Sequence, residues 1–189
     1  MPMLEITLNA RLRPLDRGDV YEDPLLEELE SRSPGSEIVG GGTMMSPEGE
    51  PLSCDVAIDL AGDPQAGLAL VVDVLQRLGA PRGSTARLDD AGPVVFGATE
   101  GVGLYLNGTD LPRQVYADND INELIGQLTA RLGESGELHS YWEGPRETAL
   151  YFYGPSARRM VELMRDVLDT HPLAQRSRLV NLTDPDAAL

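Results

Sequence analysis

Lysine is missing from this chain: all fifteen basic residues are arginine, set against thirty-one Asp and Glu. Schiff-base catalysis and a phosphate-loop lysine are therefore excluded. The single cysteine, Cys54, excludes an internal disulfide and a cysteine-built metal or iron–sulfur cluster. Only two histidines occur, and no His-x-x-x-His or Cys-x-x-Cys spacing exists, so neither a metal site nor a cofactor is expected. Long apolar runs are also lacking. No stretch approaches the roughly 18 residues that a membrane span needs. The opening Met1-Pro2-Met3-Leu4-Glu5-Ile6 has neither the basic start nor the apolar core of a secretory signal. The expectation is a cytoplasmic protein with no membrane partner.

What is present is negative charge. The net value is −16. Codon bias in a GC-rich bacterial genome would account for arginine in place of lysine and for the many Ala, Gly and Pro. Whatever its origin, such a field repels phosphate backbones, so a nucleic-acid partner is not expected. It attracts a basic protein, at a rate that falls with salt.

The chain is also written twice. Asn9-x-x-x-x-Pro14 reappears as Asn107-x-x-x-x-Pro112, Val20-Tyr21-x-Asp23 as Val115-Tyr116-x-Asp118, and Glu28-Leu29 as Glu123-Leu124. Val74-Leu75 matches Val167-Leu168, and Pro81 with Arg87-Leu88 matches Pro172 with Arg178-Leu179. An ordered series with small insertions points to two copies of one supersecondary plan. The copies are expected at 1–90 and 91–183, with a linker around Asp89 to Pro93 and a flexible tail at 184–189.

Each copy reads β-α-β-β-α-β. Leu4, Ile6 and Leu8 alternate with polar residues, the period of a half-buried strand. Asp23-Pro24 reads as an N-cap with proline in the first turn, and Asp63-Pro64 does the same for the next helix. In the second copy Ile121, Leu124, Ile125, Leu128 and Leu132 form an apolar stripe behind Asp120. Central strands are expected at 138–143 and 148–153, and Met160, Leu163, Met164, Val167 and Leu168 mark the last helix. His171, before Pro172, is placed at its C-terminus, where a partly positive ring suits the dipole. This order of elements resembles the ferredoxin-like fold in tandem: an α+β protein with two antiparallel sheets, each carrying two helices on one face. The resemblance implies no particular function.

The helix-free face of the second copy's sheet is the candidate site. Strict alternation assigns Leu104, Leu106, Leu138, Trp142, Leu150 and Phe152 of the second copy to the helix side. The other face then collects Tyr105, His139, Tyr141, Tyr151 and Tyr153, flanked by Glu137, Glu143 and Glu147. Tyrosine suits binding hot spots, so this face is the expected partner-binding surface. Packing of the two sheets on each other, or a homodimer, would use the same residues. The first copy offers Glu5, Thr7, Val39, Thr43, Asp55, Ala57 and Asp59, smaller and without an aromatic.

Catalytic signals are thin. His139 near Glu143, Glu147 and Tyr151 could form an acid–base group, but no catalytic residue is assigned. Cys54, between Ser53 and Asp55, reads as inert. The expected function is therefore a non-enzymatic acidic interaction module, in the style of an inhibitor or immunity protein that occludes a basic partner. The alternative is a small-molecule binder or enzyme with its site between the two repeats.

Overall fold

In strand β1 (Met3–Leu8) burial follows the sequence alternation: Leu4, Ile6 and Leu8 are buried while Met3, Glu5 and Thr7 are exposed. The same period governs β3 (Pro51–Asp59), whose Cys54, Val56 and Ile58 point inward. Chain order in the first unit continues through α1 (Pro14–Arg17), a π-turn at Gly18–Glu22, α2 (Asp23–Arg32), β2 (Glu37–Met45), β3, α3 (Pro64–Arg77), β4 (Ser84–Leu88) and β5 (Val94–Phe96). The second unit runs β6 (Glu100–Asn107), α4 (Arg113–Asp118), α5 (Ile121–Leu132), β7 (Glu137–Glu143), β8 (Glu147–Gly154), α6 (Ala157–Thr170) and β9 (Arg178–Asn181). This computed structural model describes residues 1–185 and 189.

The strand order is β2-β3-β1-β4-β5 in one sheet and β7-β8-β6-β9 in the other, with all neighbours antiparallel. Both are the order of a split β-α-β unit, so the fold is two ferredoxin-like repeats in tandem. In the second unit Val102, Leu104, Leu150 and Phe152 from the sheet meet Leu124, Leu128, Met160 and Met164 from α5 and α6 in one buried cluster. Among the described residues three α-helices carry side-chain caps at their N-termini. The carboxylates of Asp63 and Asp120 accept from the amides of Gln65 and Asn122, and the Ser156 hydroxyl accepts from Arg159 N.

Four local expectations need correction. Asp23 is not an N-cap: α2 does open at Asp23-Pro24 with proline in its first turn, but Asp23 already has helical φ and ψ and continues helical structure that begins at Pro14. Pro24 has no N–H to give to Val20, and the turn before it is widened, with Asp23 N–H bonded to Gly18 O. The first unit also does not end at residue 90. It closes at Thr99, because Val94–Phe96 pairs antiparallel with β4 as a fifth strand and the Thr99 hydroxyl donates to Gly79 O at 2.7 Å. The tail is held at its first residue, where Asp184 N donates to Asn181 Oδ1 at 3.0 Å beside the bond from Gly101 N to Thr183 Oγ1 at 2.7 Å, and Leu189 packs against the second unit's core. The remainder of the expected tail, 186–188, lies outside the described residues. Finally, His171 does stand at the C-terminus of α6, but its ring acts there as an acceptor: Nδ1 takes the Leu173 N–H at 3.2 Å and caps the following 3-10 turn.

Both hairpins carry one extra residue at the equivalent place. Pairing skips from Ile38 to Gly40 in β2 and from Leu138 to Ser140 in β7, so Val39 and His139 are bulged. The duplication is thus visible in backbone irregularity as well as in element order.

Core and cap contributions are separable by urea unfolding. Leu104→Ala is expected to cost about 2–5 kcal/mol and Asp120→Ala about 1 kcal/mol, whereas Leu15→Ala, at an 82% exposed position, should stay within about 0.5 kcal/mol.

Candidate protein-interaction surface

Residues directly opposed in an antiparallel pair share a face. Across β7 and β8, Leu138 opposes Phe152, Ser140 opposes Tyr151, Tyr141 opposes Leu150, Trp142 opposes Ala149 and Glu143 opposes Thr148. Leu150 and Phe152 lie in the helix-side core. Past the His139 bulge the alternation is therefore inverted. Tyr141 and Glu143 belong to the helix side, and Trp142, expected there, lies on the helix-free face. The extra residue at 139 is the whole cause. The same shift at Val39 places Thr43 opposite Cys54, on the helix side of the first sheet.

Of the expected cluster, Tyr105, His139, Tyr151, Tyr153, Glu137 and Glu147 do share one face. Tyr105 and Tyr151 meet edge-on with ring centroids 6.4 Å apart. His139 stacks on Tyr153 at 5.2 Å, and its Nε2 is 3.7 Å from a Glu137 carboxylate oxygen. The Arg178 guanidinium lies 3.7 Å from the centre of the Tyr105 ring and binds Glu147 through two bonds of 2.8 and 2.9 Å. That pairing, reinforced by the arginine's charge, holds the Glu147 carboxyl below the ordinary range.

Beneath the rings, β6 supplies glycine. A Cβ at Gly101 would come within 2.6 Å of Tyr153, and one at Gly103 within 2.9 Å of Tyr105. The tyrosines lie on bare backbone and are themselves enclosed. Tyr105 is 3% exposed, Tyr151 0% and Tyr153 2%, against 37% for Tyr141. Rings so enclosed act as core; a partner arriving from solvent does not reach them.

His139 does not join Glu143, which is on the opposite face, so the acid–base grouping read from sequence is not assembled. Its Nδ1 is buried with no hydrogen-bond partner. Burial pushes the ring's pKa below its ordinary 6.5, opposed by the smaller pull of Glu137. Cys54 is buried and donates toward the Ala10 and Leu12 carbonyls, and burial raises its thiol pKa, so it is a poor nucleophile. Among the described residues no group of three or more His, Cys, Asp and Glu is gathered as metal ligands, and no helix is long and apolar enough to cross a membrane.

The first sheet presents the contrary surface. Along its helix-free face the register aligns Glu37 with Asp59 and Met3, then Gly40 with Ala57, Glu5 and Arg87, then Gly42 with Asp55, Thr7, Thr85 and Val95. Glu5, Thr7, Glu37 and Asp55 are exposed, with Ala57 and Asp59 half-buried. Arg87 binds Glu5, and the Thr7 hydroxyl donates to Asp55 at 2.8 Å. Gly40, Ala57 and Gly41 floor a groove of about 330 Å³ walled by Glu5, Thr7 and Asp55. Sequence reasoning passed over this face because it lacks aromatics. The usable signal was carboxylates at period two, Asp55 and Asp59, beside glycines on the neighbouring strand.

No protein-family model matches the chain, and no curated protein is similar to it in sequence. Solved structures do align over its length. One is a protein of unknown function from Galdieria sulphuraria, at 14% identity and a TM-score of 0.28, covering 95% of each chain. Another, assigned as a glycine cleavage system transcriptional repressor, is 15% identical with a TM-score of 0.32, again over 95% of each. The regulatory subunit of aspartate kinase from Thermus thermophilus aligns at 11% identity and a TM-score of 0.28, over 88% of this chain and 93% of that one.

The orphaned imidazole makes a pH prediction. Its folded pKa is depressed, so the unfolded chain binds the proton more readily, and stability is lost as pH falls below about 6.5. His139→Phe keeps the stack on Tyr153 and removes the buried nitrogen. It is expected to be neutral or stabilising at pH 8 and to flatten the fall in stability between pH 7 and 5.5, read by urea midpoints at each pH.

Proposed function

We propose that this protein is a non-enzymatic acidic interaction module, of inhibitor or immunity type, that occludes a basic protein partner with the helix-free sheet face of its first unit. The observation that carries this reading is the directly opposed pair Glu37 and Asp59. Like charges in that position are destabilising, and among the described residues neither carboxylate has a cationic partner. Asp55 stands two rows away on the same face, bonded to a hydroxyl and, among the described residues, to no guanidinium. A surface that leaves three carboxylates uncompensated while Arg87 is spent on Glu5 is complementary to Lys and Arg on another protein. The buried tyrosines of the second unit serve as its core.

Small-molecule binding is the weaker reading. A cavity of about 530 Å³ opens beside Leu106, Tyr116, Asn119, Asp120, Ile121 and Leu173. Its polar groups are already used inside the fold. Asp120 caps α5, Asn119 donates to Val115 O, and the Tyr116 hydroxyl bonds to Asn107 O. Few are left to orient a ligand.

The test compares two variants of equal charge. One carries Glu5→Gln, Glu37→Gln, Asp55→Asn and Asp59→Asn; the other carries Glu27→Gln, Glu30→Gln, Glu123→Gln and Glu134→Gln on exposed helical and turn positions. Immobilised wild type should retain a basic partner from lysate at low salt and release it as salt rises. The helical variant should retain the same partner and the sheet variant should lose it. Equal loss in both would mean diffuse charge attraction without a defined surface, and equal retention would put the interface elsewhere.

A further inference from the structure

We propose that the basic partner engages as an extended segment added to β2 as a further strand, with an arginine or lysine side chain laid across Gly40 and Gly42 toward Asp55. This rests on the reading that the first unit's open face takes a basic partner, and it specifies how. Strand β2 is an outer strand of its sheet, nine residues long, so its outward N–H and C=O groups form a template for another strand. The usual guards of an edge are few here. It has no lysine and no proline, only the bulge at Val39 and an irregularity at Met44 and Met45. Its exposed apolar side chains, Val39 at 48% and Met44 at 57%, lie beside that template.

The glycines decide where a side chain of the added strand can go. Adjacent strands are roughly 4.8 Å apart, so an added strand would stand about two spacings from β3 and from Asp55. Ordinarily the residues of β2 would block that path. Here Gly40 and Gly42 occupy it, and a Cβ built at Gly42 meets nothing within 4 Å. The groove over Gly40 and Ala57 continues the same track to Glu5 and Asp55. A long cationic side chain entering from the edge has an open floor and a carboxylate at its end. Other edges fit less well: β5 is three residues long and adjoins the strand bearing Arg87, β9 has four residues, and β7, though seven residues long, carries no glycine to leave a side-chain path open. The occupant that fits this edge is a basic extended segment. A second copy of this chain would bring another −16 charges to the same face.

The experiment uses the full chain, isotope-labelled for amide NMR, with a capped heptapeptide of alternating valine and arginine as probe. A peptide of the same sequence carrying alternate backbone N-methyl groups removes strand donors without changing charge, and a valine–glutamate peptide reverses the charge. Expected are shift changes at Thr7, Asp55 and Ala57, amide exchange across residues 38–44 slowed at least about tenfold, and about tenfold weaker binding of the N-methylated peptide. Gly42→Val, which the fold has room for, should weaken the parent peptide about tenfold with no change in charge. Shifts at the acidic face with unchanged β2 exchange, and equal affinity of the N-methylated peptide, would overturn strand addition and leave the basic-partner reading standing. No shift at any face residue with the arginine peptide would overturn both. Protection of β2 that grows with protein concentration alone would replace the basic segment with a second copy.

Discussion

In a sheet, the side of every residue is fixed by counting from its neighbour, and one inserted residue reverses the count for everything beyond it. The bulges at Val39 and His139 are two such insertions, at matching points in the two repeats. The character of each helix-free face depends on them. In the second unit the bulge turns Tyr141 and Glu143 to the helix side and brings Trp142 over, where its ring lies against Gly144. In the first it puts Gly40, rather than Val39, in line with Ala57, and Gly42 in line with Asp55.

From one plan the chain has thus made two unlike faces. One is closed by three buried tyrosines seated on Gly101 and Gly103, with Arg178 bridging Tyr105 and Glu147. The other is shallow, exposed and acidic. Apolar burial is the dominant favourable term in folding, so the tyrosine face contributes to stability. The acidic face does the opposite, because Glu37 and Asp59 repel across the strand pair. That cost, borne by a face that stays open, is what supports the proposal that an electrostatically steered partner docks there.

Most of the fold was legible. Strand alternation in Leu4, Ile6 and Leu8, the apolar stripe of α5, and the caps at Asp63 and Asp120 each depend on local chemistry that the sequence displays directly. What stayed hidden lacks a local signature. Leu138-His139-Ser140 contains no glycine or turn residue to announce a bulge. Asp23 looks like an N-cap because the helical structure before it, from Pro14 through the π-turn, is not written in residue types. Val94-Val95-Phe96 is a clear apolar run, but its pairing with β4 is a long-range fact. The candidate site was half legible: the tyrosines do cluster, yet alternation alone cannot say whether a face is open or covered.

The asymmetry of the two faces is the central claim, and hydroxyl-radical footprinting of the intact protein read by mass spectrometry tests it most directly. Met44, Met45 and Val39 should label rapidly, Tyr141 at an intermediate rate, and Tyr105, Tyr151 and Tyr153 slowly, in line with their exposure. Rapid labelling of Tyr151 and Tyr153, at or above the rate of Tyr141, would contradict the account and return the tyrosine face to solvent.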